Sequence, residues 1–322
     1  MQSFFSVDWG TSAFRLRLVD AGNKAVLAEI KTDYGMATAF EKWKQLNQPE
    51  TNRTAFFQSY LFDQVDKITA GVNDSLSNTS IIMLSGMASS SIGMQELPYK
   101  ELPFCCDGSD LLLHTVTAEH KNVSYKMIII SGVKSNTDVM RGEETILAGC
   151  NIVNDSTRQL FILPGTHSKH ILVNKGCAQS IATYITGELF DLLSNKSILS
   201  SALQKHSIDE IVDGYCFADG VKKGASTNIL NSIFQVRTNH LFKSATAYEN
   251  YQYLSGLLIG YELKDIAKDK LASVTLVSSE GLKNFYLNAF SVAGLSELIM
   301  YKNADEALIE GQLKIIQQAG YL

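Results

Sequence analysis

Asp8, Thr11, Ser12 and Arg15 fall within eight residues of one another, around Gly10, near the start of the 322-residue chain. A carboxylate in such a turn can hold Mg²⁺ or its waters, while hydroxyls, exposed amides and a guanidinium can meet phosphate oxygens. The flanking residues supply the frame. Phe5 and Val7 alternate with polar neighbours before the turn, and Phe14, Leu16 and Leu18 resume the period of two after it. The expected element is therefore a β-hairpin with a phosphate-binding tip, in which Gly10 supplies backbone angles closed to other residues. A plain surface turn, in which Asp and Thr merely stabilise the bend, is the alternative.

The same pattern returns at Leu163-Pro164-Gly165-Thr166-His167-Ser168-Lys169, between the apolar runs Gln159–Ile162 and His170–Val173. Two strand–turn–strand units about 155 residues apart suggest two duplicated lobes facing each other. Between them, apolar runs at Ile81–Leu84 and Met127–Ile130 end in Ser85-Gly86 and Ser131-Gly132, as buried strands that carry ligands at their carboxyl ends do. Helical spacing marks residues 53–68, and a helix is expected to begin at Asp138, as cap or first turn, and to run to Gly149. Beyond the second hairpin the expectation is mainly helical: 187–193, 197–203, 208–222, 228–236, 248–266 and 304–318. A late strand at 274–277 leads into Ser279-Glu280-Gly281 and another helix. The lobes are expected to divide at residues 1–135 and 136–322.

A chain of this length exceeds the roughly 250–300 residues at which one core stops growing, so two lobes are the default. Apolar residues are 45% and charged residues 19%, which fits a folded globular protein. With 28 basic against 33 acidic residues, the net charge of −5 argues against nucleic-acid or anionic-membrane partners. Five cysteines without C-x-x-C spacing fit neither a disulfide framework nor a zinc site. No basic-then-apolar leader opens the chain, and no window approaches the ~18 apolar residues of a membrane helix. A cytoplasmic protein is expected.

Taken together, five segments resemble the 2-dehydro-3-deoxygalactonokinase family of the sugar kinase and actin-like ATPase superfamily. They are Val7-Asp8-Trp9-Gly10-Thr11 with Arg15; Gly86-Met87 with Gly93 and Glu96-Leu97-Pro98-Tyr99; Asp138 to Thr145; Leu163 to Lys169; and Thr186-Gly187-Glu188-Leu189-Phe190. The resemblance spans nearly the whole chain. It implies an α/β fold of two ribonuclease-H-like (actin-like ATPase) lobes with a nucleotide cleft between them. It also implies a kinase that uses ATP and Mg²⁺ to phosphorylate the terminal 6-hydroxyl of a 2-keto-3-deoxy sugar acid in galactonate catabolism.

The same resemblance assigns roles. Asp8 would organise Mg²⁺, with Gly10, Thr11, Ser12 and Arg15 around the phosphates. Gly165, Thr166, Ser168 and Lys169 would hold phosphates from the second lobe, with His167 divided between a phosphate contact and a neutral turn residue. Asp138 would be the general base, with Glu143 as its rival and a plain helix cap as the bland alternative. Gly86, Met87, Ser90, Ser91 and Arg141 would meet the acceptor, Arg141 through its carboxylate. Ser279 and Gly281 would form the adenosine turn. The chain departs from its relatives at Ser91 and Met94, where many members carry arginine and tryptophan. That departure leaves two alternatives open: a kinase for a related keto-deoxy acid, and a non-catalytic actin-like nucleotide-binding regulator. A homodimer is also left open.

Overall fold

The computed structural model describes residues 3–71, 79–205, 214–266 and 270–321. It divides into two compact units. The first comprises residues 1–152, 176–180 and 305–322, and the second residues 153–175 and 181–304. The first unit thus runs past the expected boundary at residue 135 and also takes in the C-terminal helix.

In the first unit, β1 (Ser3–Trp9), β2 (Phe14–Asp20) and β3 (Val26–Thr32) form an antiparallel meander. Helices α1 (Met36–Gln45) and α2 (Arg53–Thr69) follow, the latter burying Phe57, Leu61 and Val65 on one stripe. Strand β4 (Ile81–Gly86) lies parallel to β1. After the short β5 (Lys100–Glu101) and β6 (Phe104–Cys105), the hairpin β7 (Leu113–His120) and β8 (Val123–Ile130) completes a sheet ordered β3-β2-β1-β4-β8-β7. β1 and β4 are buried on both faces, as central strands are, whereas edge strand β3 alternates between partly exposed and exposed positions. Trp9, Phe14, Phe57, Leu84 and Met127 anchor this core. Two-residue strands β9 (Val133–Lys134) and β10 (Val139–Met140) precede α3 (Glu143–Ala148).

The second unit repeats the topology. β11 (Gln159–Leu163) pairs antiparallel with β12 (Ser168–Asn174), and β13 (Cys177–Tyr184) lies beside β12. After α4 (Thr186–Lys196), α5 (Gly214–Ser226), α6 (Ile229–Leu241) and α7 (Ala247–Leu263), strand β14 (Ser273–Ser278) joins β11 in parallel. Helix α8 (Glu280–Val292) leads to β15 (Ile299–Asn303), parallel to β14. Numbered within each unit, the five principal strands have the same order, 3-2-1-4-5, with a hairpin first and parallel strands after. That is the ribonuclease-H-like arrangement expected from the sequence. Helix α9 (Ala304–Gln318) closes the chain, its residues from Asp305 onward packing in the first unit. There Gln312 Nε2 donates to Val7 O (3.1 Å) and to Ser85 Oγ (2.8 Å).

Two expected elements need correction, and a third lies partly outside the described residues. Residues 197–203 give only a single 3₁₀ turn, Ser200–Ala202, rather than a helix. The expected helix 208–222 starts outside the described residues, and the described part is α5. The helix expected from Asp138 begins five residues later, at Glu143. Gly142 precedes it at φ 110°, a left-handed conformation that suits glycine, while Asp138 lies in the tight turn between β9 and β10. Among the described residues, no helix is long and apolar enough to cross a membrane.

Candidate active site

In the first unit, candidate residues gather at the carboxyl ends of β1 and β4. Asp8 faces Arg15 across the hairpin and Ser85 across the parallel pair. Gly86 takes φ 82°, and a Cβ there would stand 2.9 Å from Trp9 O and 3.5 Å from the Asp8 carboxylate. Gly142 in turn packs against Gly86, so only a pair without side chains lets the α3 segment approach this strand end. The Asp8 side chain is 37% exposed. Enclosure by the protein raises its pKa despite that opening; Arg15 and Arg17 pull it down, and Asp305 and Glu143 push it further up. A carboxylate with part of its hydration removed and acids nearby suits a divalent cation. Magnesium is held in the same way by one or two carboxylates, phosphate oxygens and waters, so the donor set fits.

The tip of the first hairpin leaves Thr11 and Ser12 exposed. Gly10 is not in the left-handed region, contrary to expectation; the turn closes through Gly10 N to Ala13 O (2.9 Å) in ordinary backbone geometry. The tip is supported from α1: Met36 N donates to Gly10 O and Ala37 N to Thr11 O. Arg15 pairs at 2.5 Å with Asp305 and at 3.8 Å with Asp8, so acids already orient it. The buried Arg17 joins Glu29 (2.7 Å) to the same Asp305 (2.8 Å).

Next to this turn lies the loop from Gly86 to Tyr99. Arg141 Nη1 donates to Ser89 O (2.6 Å) and Ser89 Oγ, and its guanidinium lies 4.2 Å from the centre of the Tyr99 ring. Ser90, expected as an acceptor donor, is buried and gives its hydroxyl to Met87 O (2.7 Å). Met94 is buried in the core, so in this chain the position points inward. Arg53 grips the loop from outside it, with Nε on Gly93 O (2.8 Å) and Nη2 on Ser91 O. Asp138 caps its own neighbour, accepting from Val139 N (2.7 Å), whereas Glu143 accepts from Arg141 N (2.9 Å) and acts electrostatically on Asp8.

In the second unit, a cavity of about 320 Å³ brings Gly165, Ser279 and Gly281 together. Thr186, Gly187, Phe190, Tyr251 and Phe285 complete much of its wall. Thr166 and His167 are exposed, and His167 Nε2 lies 2.6 Å from Glu188. Lys169 is mostly buried along β12, with Nζ on His167 O (3.3 Å). Ser168 is a correction: it is fully buried and donates to Glu262 (2.7 Å), so its hydroxyl faces inward rather than toward the turn. A larger hollow of about 460 Å³ in the first unit, near Arg17, Lys31 and Glu310, contains none of the expected site residues. Its charges largely neutralise one another, as in Lys24–Glu310 (3.3 Å) and Lys31–Glu29 (3.1 Å).

Residues 8–315 match the family model for 2-keto-3-deoxy-galactonokinase. The chain belongs to that family. A Rhizobium meliloti (strain 1021) protein named as a probable 2-dehydro-3-deoxygalactonokinase is 29% identical over 313 residues, 96% of this chain and 94% of its own. The 2-dehydro-3-deoxygalactonokinase of Escherichia coli (strain K12) is 31% identical over 66% of this chain and 71% of its own length. A Sinorhizobium meliloti crystal structure, described as that of a putative 2-dehydro-3-deoxygalactonokinase protein, superposes with a TM-score of 0.80. It is 28% identical, over 98% of this chain and 96% of that one. The segments that carry the sequence resemblance, at Asp8, Gly86, Asp138 to Thr145 and Gly165, lie on strand ends, turns and a helix start.

Nothing in the sequence singles out Arg53, Tyr99, Glu262 or Asp305 for a role, and Glu144, whose spacing from Arg141 suggests an ordinary surface pair, is fully buried instead. Tyr99 at least lies within a motif that carries the resemblance, whereas Arg53 and Glu262 act on segments some 40 and 94 positions away, with no local signal.

Proposed function

We propose that this chain transfers the γ-phosphoryl group of ATP to the 6-hydroxyl of 2-dehydro-3-deoxy-galactonate in galactonate catabolism. The observation that carries this reading is the family match over residues 8–315, with Asp8 and Glu143 drawn to the same strand ends. The acceptor oxygen attacks the γ-phosphorus, the bond to the β,γ-bridging oxygen breaks, and the hydroxyl proton passes to a carboxylate. ADP and the 6-phosphorylated acid leave. Bound Mg²⁺ would neutralise charge on the β- and γ-phosphates, with Asp8 as the protein carboxylate that holds it.

The chain's own residues supply position. Thr11, Ser12 and Arg15 suit phosphate oxygens, and the second unit's cavity, with Ser279, Gly281 and aromatic walls, suits the nucleoside. Arg141, held by Ser89 and Tyr99, suits the acceptor's carboxylate. For the base, Glu143 gains support from its electrostatic reach to Asp8, and Asp138 from its place in the shared motif. A panel of keto-deoxy sugar acids, with MgATP and ADP release as readout, tests the reading. The galacto acid is expected to give the highest kcat/KM. Turnover that no acid raises above the ATP-only rate would contradict it and favour a nucleotide-binding regulator. Comparing Asp138→Asn with Glu143→Gln assigns the base, since only loss of the base removes transfer while leaving ADP binding intact.

A further inference from the structure

Glu262, on α7, is 1% exposed, yet its carboxylate is fully occupied by four donors from three other elements. Oε1 accepts from Ser168 Oγ (2.7 Å) and His170 Nε2 (3.0 Å), both on the strand that leaves the second hairpin. Oε2 accepts from Thr186 Oγ1, at the start of α4, and from Tyr286 OH (2.8 Å) on α8. Thr186 and Tyr286 both line the 320 Å³ cavity. The next residue, Gly187, packs so closely that a Cβ would stand 2.4 Å from Gly165 O, and Glu188 N donates to Thr166 O (3.0 Å). A buried carboxylate is tolerated only when its hydration is replaced by donors, and here those donors come from the phosphate turn and the cavity walls together.

We propose that Glu262 is a positioning residue for nucleotide binding, one oxygen fixing the strand behind the second phosphate turn and the other fixing two walls of the nucleoside cavity. The proposal rests on the reading of the chain as an ATP-dependent kinase. Glu262 touches no substrate itself; it acts through Thr186 and Tyr286. A glutamine at 262 keeps the shape and removes the charge. Either ring nitrogen of His170 can carry the proton, so the new amide NH₂ can face either pair of partners, but Thr186 and Tyr286 lose the carboxylate's charge in both orientations. The loss of charge-assisted bonding therefore reaches the cavity side.

The test measures the ADP dissociation constant by calorimetry without acceptor, and the KM values for MgATP and for the sugar acid separately. For Glu262→Gln, nucleotide affinity and the MgATP KM should worsen by about tenfold, while the acceptor KM stays at its wild-type value. Thr186→Val should show the same split to a smaller degree, and Thr186→Ser, which keeps the hydroxyl, should behave as wild type. A merely structural role would lower the melting temperature and the active fraction without moving either KM. That result, unchanged ADP affinity, or an equal rise in both KM values overturns the proposal. If Glu262→Gln does not fold, the Thr186 pair decides by the same criteria. A wild-type protein that binds ADP but shows no acceptor-dependent turnover contradicts the kinase reading instead, and the ADP affinities of the variants still judge the positioning role.

Discussion

Asp8 is the carboxylate proposed to hold Mg²⁺ in the first unit, and Asp8→Asn keeps its shape while removing the charge. A fall in kcat/KM of roughly 10³-fold is expected in acceptor-dependent ADP release, with the fold intact by circular dichroism. Glu144 makes a different kind of prediction. It is buried beside Glu143, and burial, then its neighbour's charge, pushes its carboxyl up to about 8, against hydrogen bonds from Gly142 N and Thr145. Its unfolded value is near 4.5, so the folded state holds more protons between the two values and stability falls as pH rises through about 8. Urea unfolding at pH 6 and pH 9 should show a loss on the order of a few kcal/mol in the wild type. Glu144→Gln should flatten that dependence and leave the pH 9 protein more stable than wild type; an unchanged slope would remove Glu144 as its source. At this scale, sequence type and spacing marked Asp8 and Arg15, which face each other across one local hairpin, and Gly86, which ends a buried strand. They did not mark Ser168 as buried, because its partner Glu262 lies 94 positions away, nor Gly10 as conformationally ordinary in a turn closed by Gly10 N and Ala13 O.

Helices and loops carry the next level of prediction. In the second unit α5 and α7 approach through small residues: a Cβ on Gly256 would meet Phe217 O at 2.2 Å. Alanine in a helix ordinarily gains up to about 1 kcal/mol over glycine. Here the clash with backbone outweighs it, so Gly256→Ala should destabilise by about 1–3 kcal/mol in chemical unfolding. In the first unit, Arg53 holds the loop 86–99 by its backbone at Ser91 and Gly93. Arg53→Ala should raise the acceptor KM by about tenfold and leave the MgATP KM unchanged, because the loop and not the phosphate turn loses its clamp. A rise confined to MgATP would contradict that role for the loop. Periodicity located most elements: α2 and α9 lie within a residue of expectation because one apolar stripe runs their full length. The helix near residue 140 was misplaced because an Asp before an apolar run reads as a cap. The left-handed Gly142 starts the helix instead, a feature fixed by packing against Gly86.

For the whole molecule, the repeated strand order 3-2-1-4-5 explains why two similar turns recur 155 residues apart: each is the first hairpin of its own sheet. The hairpins were legible because alternation and a polar turn are local signals. The helix that returns from the chain's end into the first unit was not, because periodicity says that a helix forms and not which core it covers. The departures at Ser91 and Met94 bear on this scale too. Met94 packs in the core and Arg53 supplies a guanidinium to the loop from another element, so in this chain both act in holding the loop. The proposed reaction is measured most directly through its product. Incubation with MgATP and 2-dehydro-3-deoxy-galactonate should give one phosphate ester whose phosphorus couples to the two protons on C6 in the NMR spectrum. Phosphate released only as free inorganic phosphate, or an ester at any other carbon, would contradict it.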